Sequence, residues 1–181
     1  LIDNEIEQAE QNKKAAIILK VNNLVDKGLI NRLYSAGQAG VKIQLIVRGM
    51  CSLVPRVKGV SDNITAISVV DRFLEHPRVM LFHSGGEQQL YISSADWMER
   101  NIDQRVEVGC PIYDPALKTR IVDILKLQLE DNQKARIIDK NQTNKYVNKN
   151  TKKSIRSQTA IYEYLVDAEL EDAKLIENEN S

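Results

Sequence analysis

Residues 15–49, AAIILKVNNLVDKGLINRLYSAGQAGVKIQLIVRG, hold a strand, a helix and a second strand in one run. Ala15-Ala16-Ile17-Ile18-Leu19 is continuously apolar and too short for a helix, which is the pattern of a buried strand. Asn23 is an acceptor in position to cap a helix that carries Leu24, Leu29, Leu33 and Ala36 and stops at Gly40. Residues 41–47 alternate and are rich in β-branched side chains, so they predict a second strand. A βαβ unit of this size sets its two strands parallel. The fold class is α/β.

Outward from this unit, Ile2, Ile6 and Ala9 share one helical face, so the chain enters partway through an amphipathic helix. Residues 49–61, with Pro55 and Gly59, read as a loop; 64–70 read as a strand and 71–75 as one helical turn. The apolar runs 79–82 and 90–93 flank His83-Ser84-Gly85-Gly86-Glu87, a hairpin connection whose glycines are free to take positive φ. Residues 105–112 alternate as a further strand. Asp114-Pro115 then starts a helix with Leu117, Ile121, Ile124, Leu125 and Leu129 at core spacing. Ile155, Tyr162, Leu165, Val166 and Leu170 predict a C-terminal docking helix, with Glu-Asn-Glu-Asn-Ser frayed at its end. This divides the chain into a domain over 1–140 and a basic connector plus amphipathic helix over 141–181.

The 181 residues suit one domain, and a hydrophobic share of 43% excludes an intrinsically disordered chain. No apolar run approaches the length of a membrane span, and the opening Leu-Ile-Asp-Asn-Glu lacks a signal peptide, as expected of a chain that starts inside a longer cytoplasmic protein. Cys51 and Cys110 belong to no CxxC pair, which argues against a disulfide scaffold or a zinc site. The net charge of zero hides an asymmetry. Lys134, Arg136, Lys140, Lys145, Lys149, Lys152, Lys153 and Arg156 face the single acid Asp139, whereas acids dominate from Ile161 onward. Such a basic stretch suits a polyanion. The alternative is a solvated connector whose charges pair with the acidic tail.

Chemistry is expected where the parallel strands end. The first strand runs out through Lys20-Val21-Asn22-Asn23 and the second through Arg48-Gly49, on the one edge where α/β proteins bind ligands. Lys20 and Arg48 would converge on an anion there, and Gly49 leaves room for close approach. Charged residues also end strands simply to meet water, and the two readings weigh evenly. In Asp71-Arg72-Phe73-Leu74-Glu75-His76-Pro77-Arg78, His76 is the candidate for proton transfer, against the commoner structural histidine. His83 keeps the structural reading. In residues 91–101, two serines, Asp96, Asn101 and the nearby Arg105 either bind phosphate or orient a histidine; equally, Asp96 caps a short helix and Trp97 is core. No Walker loop, GxGxxG or HExxH is present.

The runs LKVNNLVDKGLINRLY at 19–34, LIVRGMCSLVP at 45–55, SDNITAISVVDRFLEHPRV at 61–79, YISSADWMERNIDQRVEV at 91–108 and KARIIDK at 134–140 resemble the C-terminal part of the bacterial polyphosphate kinase family. The resemblance covers nearly the whole chain. It implies the second of two phospholipase D-like domains, a mixed sheet flanked by helices. It also implies reversible transfer of the terminal phosphate of ATP to inorganic polyphosphate, through a phosphohistidine in a preceding domain and with magnesium bound outside this chain. ATP or ADP, polyphosphate, upstream domains of the same chain and a homo-oligomer are the implied partners; nucleic acid is not. The implied location is cytoplasmic, with membrane association at most through the full-length complex.

By the same resemblance, Arg48 falls on an ATP-contacting arginine, His76 on a second active-site histidine and Arg105 on an arginine near the phosphates. Lys20 and Arg72 add positive charge on the residue reading alone. His76-Pro77-Arg78 departs from the phospholipase D pattern: Arg78 stands for its lysine and His83 for its aspartate. A phospholipase D-like phosphodiesterase or nuclease half and a non-catalytic polyanion-binding module remain the alternatives.

Overall fold

The computed structural model describes residues 1–147 and 153–179, from residue 171 onward as backbone only. In chain order the elements are α1 (Ile2–Glu10), β1 (Ala16–Val21), α2 (Lys27–Gln38), β2 (Lys42–Val47), β3 (Ile64–Val69), β4 (Arg78–Phe82), β5 (Gln89–Ser93), α3 (Glu99–Asp103), β6 (Gly109–Pro111), α4 (Pro115–Leu129), β7 (Ala135–Ile137) and α5 (Ser157–Glu179). One mixed sheet takes the strands in the order β6-β5-β4-β1-β2-β3-β7. β1, β2 and β3 are parallel, whereas β4, β5, β6 and β7 each meet their neighbours antiparallel.

Alternation along the strands builds two cores. Ile17, Leu19 and Val21 of β1 join Ile43, Leu45 and Val47 of β2 on one face, under Ile30, Leu33 and Ala36 of α2 and Ile2, Ile6 and Ala9 of α1. Ile18, Ile46, Val79, Leu81 and Leu90 point to the other face, against Val122 and Leu125 of α4. The sheet is covered by helices on both sides, which explains why residues 15–19, most of β1, read as an unbroken apolar run.

Several expectations are corrected. Asn23 does not cap α2; the cap is Asp26, which accepts from the Leu29 amide at 2.8 Å. Leu24 is not on the helix but is fully buried in the core, bridged to Cys51 and Trp97. Residues 71–75 form no helical turn, because side chains from α4, α5 and β1 satisfy their polar groups instead. Arg105 is not on a strand: β6 is confined to Gly109–Pro111, and Val106 and Val108 of the alternating run face solvent. Leu117 is exposed rather than part of the α4 core. Strand β7, inside the basic run, is an unexpected element that pairs Ala135 with Val69 and Ile137 with Ile67.

Helix α5 rests on α4, with Tyr164 Oη donating to Asp123 Oδ2 at 3.3 Å. Its inward stripe is Ile161, Tyr164, Leu165 and Ala168, while Tyr162, Val166 and Leu170 are exposed. The helix is apolar on two adjoining faces, and spacing alone does not choose between them. It extends through Glu179, so part of the terminal segment expected to fray is helical; Asn180 and Ser181 lie outside the described residues. Lys149 and Lys152 of the basic run also lie outside them, as do the side chains of the acids from Glu171 onward.

Candidate functional site

The register brings the chemistry to one edge. Lys20 stands opposite Ile46 and Val79, and Arg48 directly follows the end of β2. β4 runs the other way, so its first residue, Arg78, opposite Ser93 at the end of β5, starts at this same edge. The edge therefore gathers 20–23, 48–51, 70–78 and 93–101 from loops that are far apart in sequence.

Asp96 is the hub. It is 5% exposed and its Oδ1 accepts from the backbone amides of Asn22 at 2.8 Å and Asn23 at 3.2 Å, and from Arg78 Nε at 3.1 Å. Oδ2 accepts from Asn23 Nδ2 at 3.0 Å and Arg78 Nη2 at 3.2 Å. Burial opposes ionisation, but the hydrogen bonds from Arg78, Asn23 and Asn22 outweigh it and hold the carboxyl below the usual aspartate range. Asp96 caps no helix; α3 begins after Met98. Trp97 is core, as one of the two readings had it.

Asn22, buried in turn, accepts from Arg48 Nε at 2.9 Å through its Oδ1. The two Nη groups of Arg48 make no hydrogen bond among the described residues and remain as donors for an anion. Gly49 serves the fold rather than a ligand: a Cβ there would stand 2.8 Å from Asn23 Oδ1 and 3.0 Å from the Asn22 carbonyl oxygen. The space its missing side chain leaves is filled by the loop after β1.

Lys20 is 4% exposed and its Nζ sits 3.0 Å from Glu75 Oε2. Burial pushes its pKa below the ordinary lysine value, Glu75 partly restores it, and the Arg48 charge lowers it again. Lys20 is thus beside Arg48 but already neutralised by a partner. Glu75 also accepts from Gln128 Nε2 and, through Oε1 at 3.0 Å, from Gln158 Nε2. His76 is exposed, next to this anchored residue, with its Nδ1 3.1 Å from Arg78 Nη1.

Arg72 and Arg105 are not drawn into the cluster. Arg72 lies over the Phe73 ring at 5.4 Å and lines a groove of about 500 Å³ with Arg156, Ile161 and Tyr162. Arg105 is exposed near Glu107, which is gripped by Ser94 and by Asn101 Nδ2 at 2.6 Å. His83 stays in the hairpin, its backbone amide on the Ala16 carbonyl oxygen at 2.9 Å. In the basic run, Arg136 donates to the Asn144 carbonyl oxygen and stacks on Tyr146, and Arg156 makes a two-pronged pair with Asp71 at 2.7 and 2.6 Å. Both are engaged with the body of the chain.

Reading by residue type had no means of finding Glu75 as the counter-ion of Lys20, Asn22 as the holder of Arg48, or Asp96 as the holder of Arg78. These contacts span 55, 26 and 18 residues and leave no local signature. Among the described residues, no group of three or more His, Cys, Asp or Glu side chains is placed to hold a metal ion, and no helix is long and apolar enough to cross a membrane.

The family model for polyphosphate kinase C-terminal domain 2 matches residues 1–158. The polyphosphate kinase of Vibrio cholerae is 62% identical over 174 residues, covering 96% of this chain and 25% of that protein. The crystal structure of polyphosphate kinase from Porphyromonas gingivalis superposes with a TM-score of 0.90 at 48% identity, covering 93% of this chain and 26% of that one. The chain spans about a quarter of these relatives. Nuc from Salmonella typhimurium, a phospholipase D family member, shares the fold at a TM-score of 0.53 and 11% identity, over 74% of this chain and 88% of its own. The chain belongs to the polyphosphate kinase C-terminal domain 2 family, on a phospholipase D-like mixed sheet.

Proposed function

We propose that this chain supplies one half of a phosphoryl-transfer site that moves the terminal phosphate of ATP reversibly onto inorganic polyphosphate. Relatives named polyphosphate kinase align over nearly the whole chain, and the carboxyl edge bears an arginine whose free donors suit phosphate oxygens. Phosphoryl transfer needs positive charge around the moving oxygens and an aligned nucleophile. Arg48 supplies the charge in a fixed place, since Asn22 holds its Nε and leaves its fork for the phosphate. His76, exposed at the same edge, donates to or takes a proton from a phosphate oxygen. Lys20 acts on the field of the site rather than as a direct ligand, because Glu75 occupies its ammonium. The phosphohistidine and the magnesium that neutralises the triphosphate belong to parts of the protein outside this chain. The other lysines of the basic run are proposed to guide the polymer.

The test uses terminally labelled ATP, magnesium and polyphosphate, with the full-length enzyme beside the 181-residue chain. Labelled polymer is expected from the full-length enzyme alone. The isolated chain should bind polyphosphate weakly, with an affinity that falls steeply as salt is raised. Labelled polymer formed at an appreciable rate by the isolated chain would overturn this division of labour.

A further inference from the structure

His76 stands on an irregular, exposed segment, where an imidazole free to rotate would rarely be aligned for transfer. Among the described residues its ring hydrogen-bonds one side chain, Arg78, with Nη1 3.1 Å from Nδ1. Nη2, which also donates to Asp96 Oδ2 at 3.2 Å, lies 3.5 Å from Nε2, so the shorter Nη1 contact is the stronger of the two. A guanidinium only donates. Nδ1, the nearer ring nitrogen, must therefore accept, which leaves the ring proton of a neutral imidazole on Nε2. Arg78 is itself immobilised: two of its nitrogens grip the buried Asp96 carboxylate, which two backbone amides of the β1 loop hold in turn.

We propose that Arg78, clamped by Asp96, is a positioning residue that fixes the tautomer and orientation of His76. This rests on the reading of His76 as a transfer residue. The chain of contacts Asp96–Arg78–His76 does for the imidazole what a carboxylate does for it directly in other active sites: it selects the nitrogen that faces the substrate. The link is an arginine, so the nitrogen kept for substrate carries a proton and serves as a donor. The same aspartate meets Asn22, the residue that holds Arg48, so the two candidate phosphate-facing groups are set by one buried anion.

The test has two arms. In the full-length enzyme, Arg78→Ala should lower kcat about ten- to a hundredfold with KM for ATP little changed, as expected when a supporting contact to an active group is lost. Guanidinium ion added to Arg78→Ala should restore part of kcat, whereas Arg78→Lys should not recover the wild-type rate. In the 181-residue chain, labelling of its two histidines with ¹⁵N reports the His76 ring directly. Nδ1 should appear as an unprotonated acceptor, and Arg78→Ala should replace that spectrum with averaged tautomers. An unchanged His76 spectrum in Arg78→Ala overturns the proposal whatever the kinetics. His76→Ala at full activity alongside a changed spectrum would instead remove the role of His76 and leave Arg78 as its orienting partner.

Discussion

Gln158, at the start of α5, meets the backbone of Phe73 on both sides. Its Oε1 accepts from the Phe73 amide at 3.0 Å and its Nε2 donates to the Phe73 carbonyl oxygen at 2.8 Å. A side-chain amide here does the work of a neighbouring strand, and the same Nε2 reaches Glu75. The first turn of α5 thereby holds the segment that carries His76. Gln158→Ala should cost about 1 kcal/mol for each hydrogen bond lost and speed hydrogen exchange at the Phe73 amide. Unaltered exchange at Phe73 would show that α5 does not hold the segment.

The Lys20–Glu75 pair has a harsher consequence. Both side chains are largely out of water, so removing one leaves the other charge without compensation. Glu75→Ala should cost about 3–5 kcal/mol, and Lys20→Met together with Glu75→Gln should recover most of it. Denaturant titration of the single and double variants checks both numbers. A double variant no more stable than Glu75→Ala would mean that the loss comes from the Gln128 and Gln158 contacts and not from the stranded ammonium.

Arg48→Ala in the full-length enzyme should reduce kcat/KM for ATP about ten- to a hundredfold, the worth of a charge-assisted contact of about 1.5–3 kcal/mol. Arg48→Lys should recover little, because an ammonium lacks the fork. Asn22→Ala frees the Arg48 Nε and should give a smaller loss in the same direction. Near-normal ATP use by Arg48→Ala would remove it from the site.

The parts of the fold that follow a short period were legible in the sequence. β1, α2, β2 and the β4–β5 hairpin each carry their own pattern, and the convergence of Lys20 and Arg48 follows from parallel pairing alone. What a side chain does after the strand ends was not legible. Asn23 has the chemistry of a helix cap, yet its amide, side chain and carbonyl oxygen are taken by Asp96, Met50 and Trp97, so Asp26 caps instead. Residues 71–75 have helix-forming composition, but Gln158, more than eighty positions away, satisfies the backbone of Phe73 in another conformation. β7 is three residues long and sits among charges, and only its pairing with β3 makes it a strand.

Acid should loosen the junction of α4, β7 and α5 through Asp131. This carboxylate is fully buried; its Oδ1 accepts from the amides of Gln133, Lys134 and Ala135 at 2.9, 2.6 and 3.0 Å, and its Oδ2 from the Ser157 amide at 2.7 Å. Burial pushes the carboxyl up, but the amides of Ser157, Lys134 and Ala135 outweigh it and leave the pKa below the usual range. The folded value therefore lies under the unfolded one, about 3.9, so the stabilisation is complete above that pH and disappears as pH falls through the folded value. Asp131→Asn puts an NH₂ group where an oxygen accepted, stranding at least one buried amide and costing about 1.5–3 kcal/mol near neutral pH. Denaturant midpoints of the two proteins, measured from pH 7 to pH 3, should be well separated at the top and converge below about pH 4. Asp96 and the other carboxylates titrate in both proteins, so the difference between the curves isolates Asp131. A separation that stays constant down to pH 3 would mean that the carboxyl binds protons alike in the folded and unfolded chains, so that its charge contributes no stability.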